Sequence, residues 1–204
     1  MTTSADFATE ASTRSLGENL PQKMGRRLWL PMFVMALMAF PVALVLSWVR
    51  AAEIASASPD GETIATLGQL VPAFQFIGFA AVFAAVSFAI ARILGRFRAG
   101  GGEVQEAAGS EVKTLKMPAT ARIFLLSMMM GMMGILAAVA LHFVVAANVT
   151  VWPAASIETW SEALEGVRRL GVGLYLFGIT FGLGAIIHVL RFQSIRIREV
   201  AGVS

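Results

Sequence analysis

The sequence contains no cysteine. Disulfides, thiolate metal sites and cysteine nucleophiles are therefore excluded. Charge is scarce as well: 14% of the 204 residues are Asp, Glu, Lys or Arg, where a soluble domain carries about 25%. No acid falls inside any long apolar run, so a carboxylate path for protons or Na⁺ is missing from this chain alone. Histidine occurs twice and tyrosine once. There is no phosphate loop, no Ser/His/Asp set, no zinc motif and no heptad array. The polar connections are too short to hold a catalytic domain. These absences argue against an enzyme.

What the sequence has is hydrophobicity in blocks. Apolar residues make up 57% of the chain, and the mean hydropathy is +0.73. About 20 apolar residues in a helix cross a hydrocarbon core of about 30 Å. Four runs meet that length: 28–49, 71–94, 122–147 and 170–191. Backbone polar groups in lipid must bond within their own segment, so each run is a helix. The expected fold class is an all-α membrane protein with four transmembrane helices.

The net charge of +3 does not indicate nucleic acid, because its distribution follows topology. With the N-terminus inside, thirteen cations face the cytoplasm, and only Arg50, Arg168 and Arg169 lie outside. The positive-inside rule then places both termini in the cytoplasm of a bacterial inner membrane. That rim attracts anionic lipid headgroups, at about 1 kcal/mol per nearby cation. The polar start lacks the apolar core of a secretory signal, so the first helix is expected to act as an uncleaved insertion signal.

The expected layout is a disordered tail over 1–22, a transmembrane hairpin over 23–98, a cytoplasmic linker over 99–118, a second hairpin over 119–198 and a short tail over 199–204. Pro31 is placed in the first turn of helix 1, where its missing N–H costs little. Pro41 is placed mid-helix, where it should kink the chain. Pro59-Asp60-Gly61 reads as a turn, and Gly100 to Gly102 as a helix stop. Residues 156–167 read as a short amphipathic helix on the outer membrane surface, with Ser156 as its N-cap. A loop docked over the bundle is the alternative for that segment.

An internal match organises the chain. Shifted by 95 residues, 27–53 lies on 122–148 without a gap, with nine identical positions, among them Met35/Met130, Met38/Met133 and Ala43/Ala138. This reads as a duplicated helical hairpin. Each copy crosses twice, so the copies are parallel repeats about a pseudo-twofold axis along the membrane normal.

The stretch "SMMMGMMG" (Ser127 to Gly134) poses a choice between a Cu(I) site and packing, since thioether sulfur suits both. At 100° per residue its five methionines spread over about 200°, too widely to face one ion. Ser127, Gly131, Gly134 and Ala138 fall within about 60°, a seam of small residues that lets helices approach closely. In helix 1 the seam recurs as Ala36, Ala39 and Ala43, and Gly178 and Gly182 offer another in helix 4. Four residues beyond Ala138 the seam reaches His142, whose repeat partner is Ser47. Helices 1 and 3 are therefore expected to pack along their seams, with His142 bonded to Ser47 or to a nearby carbonyl.

His142 and His188 are the cofactor candidates, because ionisable groups within a membrane are functional suspects. They fall near opposite faces, about 25 Å apart by helix rise, so one haem cannot use both. The expectation is no cofactor, no resident metal and no nucleic acid, with membrane lipids and other membrane subunits, or a second copy, as partners. The resulting reading is a non-catalytic accessory subunit of a larger membrane complex. The alternatives are a haem- or copper-binding redox anchor, with the second ligand from a partner, and a small-solute transporter.

Overall fold

The computed structural model describes residues 3–11 and 20–202. Four long helices dominate: α1 (Leu20–Ile54), α2 (Gly61–Phe97), α4 (Ala119–Ala147) and α5 (Ala154–Val200). Each is long and apolar enough to cross a membrane. Between α2 and α4 lie the short α3 (Gly102–Ala107) and a strand, β2 (Lys113–Leu115). That strand pairs antiparallel with β1 (Thr9–Ala11), with Thr9 opposite Leu115 and Ala11 opposite Lys113. The chain divides into two compact units. The first comprises Met1–Trp29, Val86–Leu126 and Phe177–Ser204, and the second Leu30–Ala85 and Ser127–Leu176.

Helix limits differ from the sequence reading in instructive ways. α5 runs unbroken for 47 residues, about 70 Å at 1.5 Å per residue. The segment read as a separate surface helix is its first four turns. Ser156 is therefore inside the helix, and its amide and that of Ile157 bond the Pro153 carbonyl instead. Pro31 also lies inside α1, beside Pro41, because the helix starts at Leu20. α2 starts at Gly61, capped by Asp60, whose carboxylate accepts the amides of Glu62 and Thr63. Glu53 closes the preceding turn by accepting the Asp60 amide at 2.8 Å.

The tail, read as disordered over 1–22, carries a 3₁₀ turn at Ser4–Asp6 and the strand β1 within its described residues. Residues 12–19 of that tail lie outside the described residues.

In the first unit the linker is built in. Gly100 and Gly101 take left-handed conformations, with φ of 58° and 70°. A Cβ at Gly100 would lie 2.7 Å from the Phe192 ring, and one at Gly101 2.7 Å from Ile197. Glycine thus serves both the turn and the close approach to α5. Gln105 is fully buried. Its amide donates to the Ala99 and Gly100 carbonyls, and its Oε1 accepts from the Lys113 amide and from Arg196. Leu115, Val189 and Phe192 form the adjoining core, against which Phe7, Leu94 and Phe97 pack.

In the second unit α2 touches all three other long helices. Its Gly78 faces Phe40 of α1, its Gln69 bonds His142 of α4, and its Phe83 stacks on Tyr175 of α5 at 4.3 Å. Along the whole of α2 only Gly61, Glu62, Phe79, Ile93 and Arg96 are exposed. On α4 the positions Ala121, Phe124, Met128, Gly131, Ile135, Ala138, His142 and Val145 are buried and alternate by three and four, with Ser127 buried beside them. From Gly171 to Phe192, α5 repeats that rhythm. This is the spacing of left-handed helix pairs that cross at about 20°.

The antiparallel α4–α5 register of the second unit is visible in two contacts. A Cβ on Gly131 would meet the Tyr175 ring at 3.1 Å, and one on Gly171 would meet Ile135 at 2.9 Å. Four residues forward on α4 correspond to four back on α5. At each level a bulky side chain lies over a glycine, which fills the gap that close backbone approach would otherwise leave.

Candidate functional site

The second unit holds a chain of buried polar groups across three helices. Gln69, on α2, lies two turns inside its Asp60 cap. His142 occupies the outermost part of the α4 seam, and Ser161 lies in the second turn of α5. His142 Nδ1 is 2.9 Å from Gln69 Oε1. Gln69 Nε2 donates to Ser161 Oγ at 2.7 Å, and Ser161 Oγ donates to the Ile157 carbonyl at 2.8 Å. Gln69 and His142 are 5% and 3% exposed, so neither has water as a substitute partner.

The donors assign the tautomer. A serine hydroxyl has one proton, and here the Ile157 carbonyl takes it. Ser161 therefore accepts from the Gln69 amide nitrogen, and Gln69 Oε1 faces the imidazole. His142 must then carry its proton on Nδ1, leaving a lone pair on Nε2. That nitrogen is buried and has no hydrogen bond among the described residues.

Aromatic and charged groups enclose the cluster. The Phe76 ring lies 5.3 Å from the imidazole. Arg168 holds its guanidinium 5.3 Å from the Phe76 centroid, in cation–π range. Arg168 also pairs with Glu165, which accepts from Arg169 at 3.1 Å. One carboxylate thus answers two cations at the edge of the cluster.

The sequence-predicted residues fall in different places. His142 does not meet Ser47, contrary to expectation. The Ser47 hydroxyl donates to Ala43 of its own helix at 2.9 Å, while His142 reaches Gln69. The contacts seen beside the two seams in the second unit involve other helices as well. In the second unit α1 meets α2 through Phe40, Gly78 and Phe79, whereas Gly131 of α4 lies against Gly171 and Tyr175 of α5.

Ala36, Ala39, Ala43, Ser127, Gly131, Ala138, Gly178 and Gly182 are all buried. Gly134 is half-buried, and a Cβ there would meet nothing within 4 Å. It lies one residue off the three-four seam. Gly182 sits under Phe124, with 2.9 Å from its ideal Cβ to that ring.

The methionines divide by face rather than converge. Met128 is buried, Met132 accepts the Tyr175 hydroxyl at 3.1 Å, and Met129, Met130 and Met133 are 58–67% exposed. Among the described residues no three His, Asp or Glu side chains come together as a metal site.

The two histidines differ in environment. His188 is exposed, with its ring 5.2 Å from that of Phe7. His142 has its Nε2 enclosed by protein, so an axial ligand role would require Phe76 and its neighbours to part first.

Two residues of the buried polar contacts escaped the sequence reading. Gln69 sits two residues before the apolar run at 71–94 and was not singled out. Tyr175 is the single tyrosine of the chain; a tyrosine in an apolar run needs a hydroxyl partner, a signal that points to Met132. Against family models, curated proteins and solved structures, the chain finds no match.

Proposed function

We propose that this chain is a non-catalytic accessory subunit of the bacterial inner membrane, with cytoplasmic termini, that packs against helices of a larger complex. The observation that carries the reading is the outward face of α5. Gly166, Gly173 and Gly184 each have nothing within 4 Å of the position a Cβ would take. Their spacings of seven and eleven put them on one helix face, opposite the buried residues that begin at Leu164 and Gly171. Small residues on a lipid-facing surface expose backbone to the close approach of a partner helix. The ionisable groups within the bundle are, by contrast, engaged internally, as at His142.

The cation distribution supports the orientation. Duplication of the hairpin is supported by register in the second unit. Phe40 lies over Gly78 as Ile135 lies over Gly171, and Phe40 and Ile135 are matched positions of the internal alignment. A Cβ on Gly68 would lie 3.5 Å from the Arg50 guanidinium, ten residues further along α1 and ten back along α2, as the same register requires.

Gentle detergent purification of the full chain, with mass identification of co-purifying chains, tests the reading. Expected is a stoichiometric membrane partner that is lost in Gly173→Leu while the fold persists. A chain that purifies alone, with Gly173→Leu indistinguishable from wild type, would sink the proposal.

A further inference from the structure

The first unit contains a cleft of about 470 Å³ lined by Trp29, Ala89, Arg92, Ile93, Arg96 and Phe97. The five α2 residues are spaced three, one, three and one apart, so they form one continuous helix face. That face is chemically divided. Ala89, Ile93 and Phe97 make an apolar strip, and Arg92 and Arg96 make a cationic edge. The two arginines are one turn apart, about 6 Å along the axis.

Among the described residues no acid lines the cleft. Among the described residues neither Arg92 nor Arg96 is in an ion pair. α1 supplies the opposite wall through Trp29. One turn before it, Gly25 brings α1 close: a Cβ there would lie 2.7 Å from the Phe88 carbonyl oxygen and 3.5 Å from Arg92 Cβ. The close crossing fixes where Trp29 stands relative to Arg92.

We infer that this cleft is a binding site for one anionic phospholipid. Two unpaired guanidiniums one turn apart suit the oxygens of a phosphodiester, which arginine grips by paired N–H donors. The apolar strip suits the first part of an acyl chain, and an indole beside them suits the headgroup boundary. Charge complementarity distinguishes this occupant from a zwitterionic lipid, whose net charge is zero. The site goes beyond the subunit role and does not depend on it, since it requires only that these helices lie in a bilayer.

Bromine on a lipid chain quenches a nearby indole, and this gives the test. The full chain in nanodiscs is titrated with chain-brominated phosphatidylglycerol or phosphatidylcholine, and the Trp29 signal is isolated by difference from Trp29→Phe. Expected is half-maximal quenching at a mole fraction at least tenfold lower for phosphatidylglycerol. R92Q/R96Q should abolish that preference, while Arg122→Gln, at another cationic helix end, should keep it. Ala89→Trp leaves both charges in place but fills the cleft. It should also lose the preference, which covers the case in which R92Q/R96Q fails to fold.

Equal quenching by the two lipids would overturn the inference. So would an equal loss in Arg122→Gln, which would indicate diffuse charge. Displacement of the brominated lipid by millimolar glycerol phosphate or inorganic phosphate would overturn it too, since the cleft would then select a soluble anion.

Discussion

Helices α1 and α4 have closely matched sequences and unequal surroundings. Ala36 and Ala43 of one correspond to Gly131 and Ala138 of the other, and all four are buried. Yet only 17% of the apolar window of α1 is buried, against 33% for α4. In the second unit α1 rests on α2, while α4 rests on both α2 and α5. The difference shows that similar sequences can serve helices covered to different degrees. At the position held by Ser47 in α1, a hydroxyl that bonds its own helix suffices. At the matching position in α4, the imidazole of His142 bonds Gln69 of α2, which in turn bonds Ser161 of α5.

The largest expected effect comes from overfilling the glycine levels. Gly171→Leu must push Ile135 away from a helix contact that already stands at van der Waals limits. An overpacked core costs about 1–3 kcal/mol, read as a fall in the unfolding midpoint in detergent. Gly78→Leu meets the Phe40 ring at the matched level. With α1 held on fewer sides, Phe40 can swing outward, so the cost should be about half that of Gly171→Leu. Equal costs would show that the two hairpins are equally constrained and would break the contrast between α1 and α4.

The polar positions sharpen the same contrast at smaller scale. His142→Leu leaves the buried Gln69 Oε1 without a donor, which costs about 1–2 kcal/mol. Ser47→Ala removes a bond within one helix and should change stability by less than about 0.5 kcal/mol. A double-mutant cycle of His142→Leu with Gln69→Leu should give a coupling above about 0.5 kcal/mol. A coupling near zero would mean that the imidazole and the amide do not act as a pair.

Much of this arrangement was legible before any coordinates. Four apolar runs set four helices, since in lipid the backbone has few alternatives. Of the four small residues singled out on α4, Ser127, Gly131 and Ala138 are buried and Gly134 is half-buried. The neighbour itself was not legible. A seam states that something packs there, and whether α1 or α5 does so depends on contacts across the chain that no local pattern encodes. The same holds for His142: its burial followed from its seam position, while its partner Gln69 lay outside the apolar run and gave no periodic signal. The linker at 99–118 holds a further feature that local pattern did not reveal. Within its polar composition Gln105 is buried, with its hydrogen bonds supplied by backbone and by Arg196.

The smallest effect concerns the loops that join each hairpin. α2 begins on an acid cap, whereas α5 begins after Pro153 with no acid in its first turn. The Asp60 carboxyl titrates below its ordinary value of 3.8, chiefly because the Thr63 hydroxyl and the Glu62 amide donate to it. A depressed folded value means that the charged form stabilises the helix start. That contribution is complete above the ordinary carboxylate range and is lost as pH falls through the lowered value. Fraying at the first turn of α2 should therefore increase below about pH 4, while the start of α5 should not respond. Amide exchange at Thr63 and Ile64, compared with Ser156 and Ile157, reads the difference. Asp60→Asn, which caps without a charge, should remove the pH dependence and keep the first turn closed. Equal fraying of both helix starts in acid would place the sensitivity elsewhere than at Asp60.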